Sequence, residues 1–371
     1  MKYPFVYPML LPLLAAGISC AEQTGNGAAS PPPPAAEKKE TRQAARKKAD
    51  QAAMAQLETV DYPCSFDKSL QKARCYFAKG DSPRPLLVGL HTWGGLYKQD
   101  CSRCARYCID NNWNFIFPNF RGPNRNPASC GSDAVVADIA DAVSYMKRAA
   151  KIDDSRVYLI GGSGGGHASL LMAARRPDLW TAVSAWCAIS DVAAWYDQGV
   201  ERGRRDYPGH IVKICGGDPS KDASARADAL KRSPLTYMNG ASRVILDIST
   251  GIHDGHRFKA RTGSVPVSQS FNAFNALAKP ADRISPEDVA FITKEQKIPE
   301  KFGVPEPDPA FGKNPVLFRR QSGLARITIF EGGHDILFDT GMEWLARQKR
   351  GTAPDWSGGK VLKKGAVELA K

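Results

Sequence analysis

The chain holds no run of about 20 apolar residues, the length a membrane-spanning helix needs. Its one long apolar stretch, "FVYPMLLPLLAAGIS", follows Lys2 and gives way to small residues around Cys20. A positive start, an apolar centre and a small-residue end are the marks of an export signal, read here as residues 1–20. Cys20 directly after "AGIS" is placed like the lipidated cysteine of a bacterial lipoprotein, except that Gly17 stands where such signals carry a leucine. Lipidation at Cys20, with a membrane anchor, and plain cleavage near Ala21 both stay open. The expected location is the periplasm or cell envelope, or secretion.

Negative charge is the scarcer sign, with 38 acidic against 51 basic residues and a formal net charge of +13. The basic residues are scattered among acidic ones rather than set in a stripe interleaved with aromatics, so no nucleic-acid partner is expected. Attraction to anionic polymers or membrane surfaces fits better. Large apolar residues are nearly missing from 21–59, which reads as a low-complexity tether with at most a frayed helix over 35–57. Residues 351–371 read as a loose basic tail. Between them, 60–350 has the length and the 43% hydrophobic content of one enzyme-sized domain.

Zinc-ligand spacing is also missing. Cys101, Cys104 and Cys108 share one helical face, with Cys130 in the loop that follows, but no second CxxC and no helical histidine pair accompanies them. Neither a metal nor a cofactor is expected. Of nine cysteines, setting Cys20 aside leaves an even number suited to disulfides in an oxidising compartment, with Cys64 and Cys75 flanking a short strand–turn–strand.

What is present is alternation. From Pro85 onward, short runs apolar on both faces ("PLLVGLH", "WNFIFPNF", "SRVYLIGG", "TAVSAWCAIS", "SRVILDIST", "ARITIFEGG") are separated mostly by amphipathic segments. That order predicts an α/β fold with a mostly parallel sheet covered by helices on both faces. Working groups then sit on loops at the carboxyl ends of the strands.

One such end carries "VYLIGGSGGGHAS". A dinucleotide loop would need a third glycine where His167 stands, and a nucleotide-hydrolase loop would need a lysine followed by Ser or Thr. The run does contain GxSxG, from Gly161 to Gly165, between a strand and a helix. In that turn a strained serine, here Ser163, lifts its hydroxyl clear while small neighbours let strand and helix approach.

A serine nucleophile needs a base and an acid that orients it. Histidines are few, six in all. His91 ends a strand ahead of the nucleophile, His167 lies in the following helix, His210 falls in a polar insertion, and His253 and His256 share the loop expected to supply the acid. Only His334, in "EGGHD", follows the final strand. For the acid, "RVILDISTGIHDGH" offers Asp247 inside a strand and Asp254 beyond its end, and Asp254 is the better placed.

The order Ser163, Asp254, His334 is that of α/β-hydrolases. From about residue 85 to 350 the chain resembles the catalytic domain of the prolyl oligopeptidase family and its esterase relatives. The resemblance rests on "NWNFIFPNFRG", "IDDSRVYLIGGSGGGHAS", "TGIHDGH" with "SVPVSQSFNAFNAL", and "FEGGHDI". It implies the same three residues as nucleophile, acid and base. It also implies a tyrosine in a Tyr-Gly-Gly segment that helps hold the oxyanion; here that segment reads Trp93, Gly94, Gly95. The expected donors are therefore the Gly164 N–H together with a group at Trp93 or Gly94, either the indole or a backbone N–H.

The family's oligopeptidases carry a large propeller ahead of this domain, whereas here a tether and a short hairpin stand there. On that ground the leading expectation is an esterase acting on small-molecule or polysaccharide acyl esters. A peptidase cleaving short peptides comes second, and a non-catalytic binding protein third. The insertion 191–239 is placed to cap the site; Trp195, Tyr196 and Tyr207 are candidates to stack on a sugar, and Arg204 to meet an acidic group.

Overall fold

The computed structural model describes the backbone of residues 35–359 and the side chains of residues 44–359. The export signal, Cys20 and residues 360–371 of the tail lie outside the described residues. The chain divides into two units, Met1–Ala45 and Arg46–Lys371, and everything below concerns the second.

Nine strands form one sheet: β1 (Glu58–Pro63), β2 (Leu70–Tyr76), β3 (Arg84–Leu90), β4 (Asn114–Pro118), β5 (Ile152–Gly162), β6 (Ala182–Trp186), β7 (Ile245–Gly251), β10 (Val316–Ser322) and β11 (Ala325–Phe330). A separate small hairpin is β8 (Arg257–Phe258) with β9 (Arg261–Thr262). Spatial order in the large sheet is β1-β2-β4-β3-β5-β6-β7-β11-β10. The six strands from β4 to β11 run parallel, and antiparallel pairs close both edges.

Side chains of one strand feed two cores, because successive residues point to opposite faces. Leu86, Val88 and Leu90 of β3 join one core and Leu87 the other; in β5, Val157 and Leu159 part from Tyr158 and Ile160 in the same way. The first core is covered by α3 (Asp133–Ala149), α4 (Gly164–Arg175) and α8 (Ser268–Leu277) through Val135, Leu170 and Phe271. The second is covered by α2 (Ser102–Asp110) and α10 (Phe338–Ala346) through Cys104 and Met342. Helix α3 starts where its cap predicts, the Ser132 hydroxyl accepting from Val135 N–H at 3.2 Å.

Four expectations need correction. The tether does not reach residue 59: a helix forms where one was expected, α1 (Ala35–Ala55), but its last turns pack on α2, with Ala53 buried and Asp50 paired to Arg106 at 2.7 Å. The domain also runs past 350, since Trp356 stacks on Trp344 at 5.6 Å and the Asp308 carboxylate accepts from Gly359 N–H. No disulfide joins the described cysteines. The β1–β2 register explains one case: Cys75 faces Glu58 at the far end of the ladder from Cys64, which follows Pro63. The apolar face of α2 instead buries Cys104 and Cys108 as small hydrophobes. Finally, β10 and α9 (Pro286–Glu295) add elements that the strand–helix alternation passes over.

The insertion folds as α5 (Val192–Glu201), α6 (Asp206–Cys215) and α7 (Ala223–Lys231), around a small core of Trp195, Tyr196, Ile211, Ile214 and Ala229 that also takes in Trp93.

Candidate active site

Ser163 lies between the last residue of β5 and the first of α4, with φ 57° and ψ −121°. A non-glycine residue pays to sit there, and the neighbours hold it in place. Its N–H donates to Trp186 O at 2.9 Å, and its carbonyl accepts from His167 N–H at 2.9 Å. The flanking glycines are needed for contact: a Cβ on Gly161 would sit 2.3 Å from Gly165 O, and one on Gly164 would sit 2.4 Å from Trp93 N. The turn is therefore set by backbone against backbone, which is why its signature reads so clearly in the sequence.

Gly164 and Trp93 thus bring two main-chain segments together beside Ser163. Neither their N–H groups nor that of Gly94 is taken by an acceptor among the described residues. The Trp93 indole is buried and donates to His210 Nδ1 in the cap at 3.3 Å. Of the two options read from the sequence, the backbone N–H is the one left free to face a developing oxyanion.

On the other side, β7 ends at Gly251 and β11 at Phe330, and the loops beyond them meet. Ile252 N–H donates to Phe330 O at 2.9 Å and His253 N–H to Gly332 O at 3.0 Å. The His253 ring joins the two loops again, contacting Glu331 at 2.9 Å and Gln296 at 2.9 Å. These ties set His334 Nδ1 at 2.6 Å from Asp254 Oδ2. The other oxygen of Asp254 accepts from Gly255 N–H at 2.8 Å and Val265 N–H at 3.2 Å, so both oxygens of the buried carboxylate are engaged.

An acceptor at Nδ1 places the ring proton there and leaves Nε2 as the basic nitrogen. Burial by itself lowers the basicity of His334; the facing charge and hydrogen bond of Asp254 overcome it and raise its pKa well above the ordinary value. The His334 side chain is 24% exposed, which keeps it reachable. Its Nε2 lies 3.5 Å from Ser264 Oγ, and no hydrogen bond links it to Ser163. Such bonds are commonly long before substrate binds.

The remaining histidines are engaged elsewhere. His167 is buried against Arg232 O at 2.9 Å, and burial lowers its pKa to about 4. His91 stacks on Phe120 between two backbone carbonyls, and His256 contacts Thr293 O. Asp247 forms a buried pair with Arg326 at 2.7 Å, a structural anchor inside the sheet. Two of the expected sugar-stacking residues are corrected by packing: Trp195 is buried with its indole on Ser264 O at 2.8 Å, and Tyr196 is buried with its hydroxyl on Asp218. Tyr207 is half-buried beside Trp195 and under Arg204, whose guanidinium is paired to Asp206 at 2.7 Å.

Sequence reasoning missed two neighbours of His334. Ser264 is one. Cys187, directly after β6, is the other: its Sγ, an Asp254 oxygen and a His334 nitrogen lie within 4.8 Å of one another. Its place at a strand's carboxyl end was the available signal.

Strand ends, turn and partners together define a class, the serine hydrolases built on the α/β-hydrolase fold. Residues 131–212 match the sequence model of the prolyl oligopeptidase family. Among curated proteins no sequence matches. An acylaminoacyl peptidase solved in complex with Z-Gly-Gly-Phe-chloromethyl ketone is similar with TM-score 0.53 at 15% identity, over 83% of this chain and 44% of that one. The Pyrococcus horikoshii acylaminoacyl peptidase in its orthorhombic crystal form gives TM-score 0.53 at 14% identity over the same shares. At such identity the likeness speaks for the fold, and this chain spans less than half the length of those relatives.

Proposed function

We propose that the protein hydrolyses acyl bonds through a covalent acyl-enzyme, with Ser163 as nucleophile, His334 as base and Asp254 as orienting acid. The observation that carries this is the 2.6 Å His334–Asp254 contact beside the strained serine turn. His334 Nε2 takes the Ser163 proton as Oγ adds to the carbonyl carbon, and the resulting oxyanion meets the N–H groups of Gly164 and Trp93. Protonated His334 then gives its proton to the departing amine or alcohol, the carbonyl re-forms, and an acyl-Ser163 ester remains. Water, deprotonated by His334, attacks that ester and releases the acid and free serine.

The family match and the acylaminoacyl peptidase neighbours favour a peptidase acting on short peptides as the first reading. One feature favours an ester substrate as the second. The family's tyrosine is replaced by Trp93, whose indole is occupied by His210, so main-chain donors alone hold the anion. An ester, with its better leaving group, asks less of that hole than an amide. Export and polysaccharide acyl esters rest on the sequence alone.

Dipeptidyl amides, aminoacyl 4-nitrophenyl esters and acetylated glycans assayed side by side test the choice. Comparable efficiency on amides and esters supports the peptidase, turnover of esters alone supports the esterase, and turnover of none contradicts both.

A further inference from the structure

Two arginines without carboxylate partners lie close to residues of the candidate site, Arg125 beside Gly94 and Arg202 beside Gly255. Arg125 is exposed, and its guanidinium lies 3.7 Å from where a Cβ on Gly94 would be, on the oxyanion side. Arg202, at the end of α5, donates to Gly255 O at 2.7 Å and Gln198 O at 2.8 Å, one residue from Asp254. Neither makes an ion pair among the described residues, unlike most arginines here. Burial lowers the Arg202 pKa, and repulsion from Arg204 adds to this, opposed by the charges of Asp254 and Glu201. Neither carboxylate makes an ion pair with it: both oxygens of Asp254 are engaged by His334, Gly255 and Val265, Glu201 makes no hydrogen bond to it, and the nearby Asp206 is taken by Arg204. The β8–β9 hairpin beyond Asp254 adds exposed Arg257, Lys259 and Arg261 with no acidic residue between them. Basic side chains thus gather near both Gly94 and Gly255, and of the nearby acids Asp254 and Asp206 are already engaged.

We infer that Arg125 and Arg202 determine specificity by recruiting a substrate carboxylate close to the scissile bond, so that the protein acts on anionic acyl substrates. This rests on the hydrolase reading above and names its substrate class. Arginine suits the task because its planar fork meets a carboxylate through two parallel hydrogen bonds. A partly desolvated guanidinium that lacks a counter-ion gains most from such a pairing.

Isosteric pairs isolate the charge. On the acyl side the pair is the N-acetylglutamyl and N-acetylglutaminyl 4-nitrophenyl esters; on the leaving side it is acetylated glucuronate and acetylated glucose. In at least one pair the charged member should be favoured in kcat/KM by about 10-fold at low salt, the fold-change of one partly screened ion pair. That preference should shrink at 0.5 M salt, roughly the concentration at which exposed charges are screened. Arg125→Met and Arg202→Met should each bring the charged-to-neutral ratio toward one, with thermal melting used to confirm folding. Equal or lower efficiency on both charged members, or a preference that survives both substitutions, overturns the inference. If no ester turns over, titration of the wild-type protein with glucuronate and glucose still decides it: selective glucuronate binding lost in the two variants upholds the inference, and its absence overturns it.

Discussion

The two halves of the candidate site are built in different ways. The nucleophile half, β5 to α4, is local: one strand, one turn and one helix, with glycines fixed by main-chain contacts to Trp93 and Gly165. The acid–base half joins residues 80 positions apart through side-chain hydrogen bonds between two loops. The first is rigid by sterics, and the second depends on a carboxylate whose two oxygens are both hydrogen-bonded. A local half can be read from a dozen residues; an assembled half can be read only by counting strand ends. The difference also says how each should fail.

The largest effects should fall on the assembled half. Asp254→Asn should lower kcat by about 10,000-fold with the fold intact, because the wrong histidine tautomer is then favoured. In wild type, kcat/KM should fall as pH drops through the raised pKa of His334, giving an acid limb above the ordinary histidine value of about 6.5. Asp254→Asn should move that limb downward. Asp247→Asn makes the opposite case: it leaves buried Arg326 unpaired, costing about 3–5 kcal/mol of stability with far less effect on turnover of folded protein. Paired pH–rate profiles and melting curves of the two variants separate the two aspartates.

In the nucleophile half, Gly164→Ala places a methyl group 2.4 Å from Trp93 N and pushes the two main-chain donors apart. Turnover should drop about 100- to 1000-fold, the usual consequence of losing one oxyanion donor. Steady-state assays alongside circular dichroism check that the loss is not unfolding.

The smallest effect belongs to the cap, whose Trp195 holds Ser264 O and thereby the strand of loop leading to Val265 and Asp254. Trp195→Phe leaves a buried carbonyl without its donor, costing about 1–3 kcal/mol, with a modest loss of kcat. Thermal melting and a single kcat comparison measure both.

The sequence makes the fold legible because β3, β4, β6 and β7 are apolar on both faces, a pattern that leaves little choice but a covered parallel sheet. It hides β10 because Arg319 and Arg320 interrupt the apolar alternation of an edge strand. It hides the docking of α1 because small residues such as Ala53 pack without announcing a core. Among site residues, His334 and Asp254 are found by their order along the chain. Cys187 is marked only by its place at the carboxyl end of β6 and Ser264 by nothing in its own segment, and three-dimensional folding brings both to the base. The aromatic residues of the insertion mislead for a physical reason: tryptophan and tyrosine have both an apolar body and a polar tip, and here both parts of Trp195 and Tyr196 are satisfied within the protein.

The central claim, an activated Ser163, is tested most directly by a fluorophosphonate probe followed by peptide mapping. The account predicts a single adduct on Ser163, absent from Ser163→Ala and strongly slowed in Asp254→Asn. Folded wild-type protein that fails to label, or an adduct on Ser264 in place of Ser163, would contradict it.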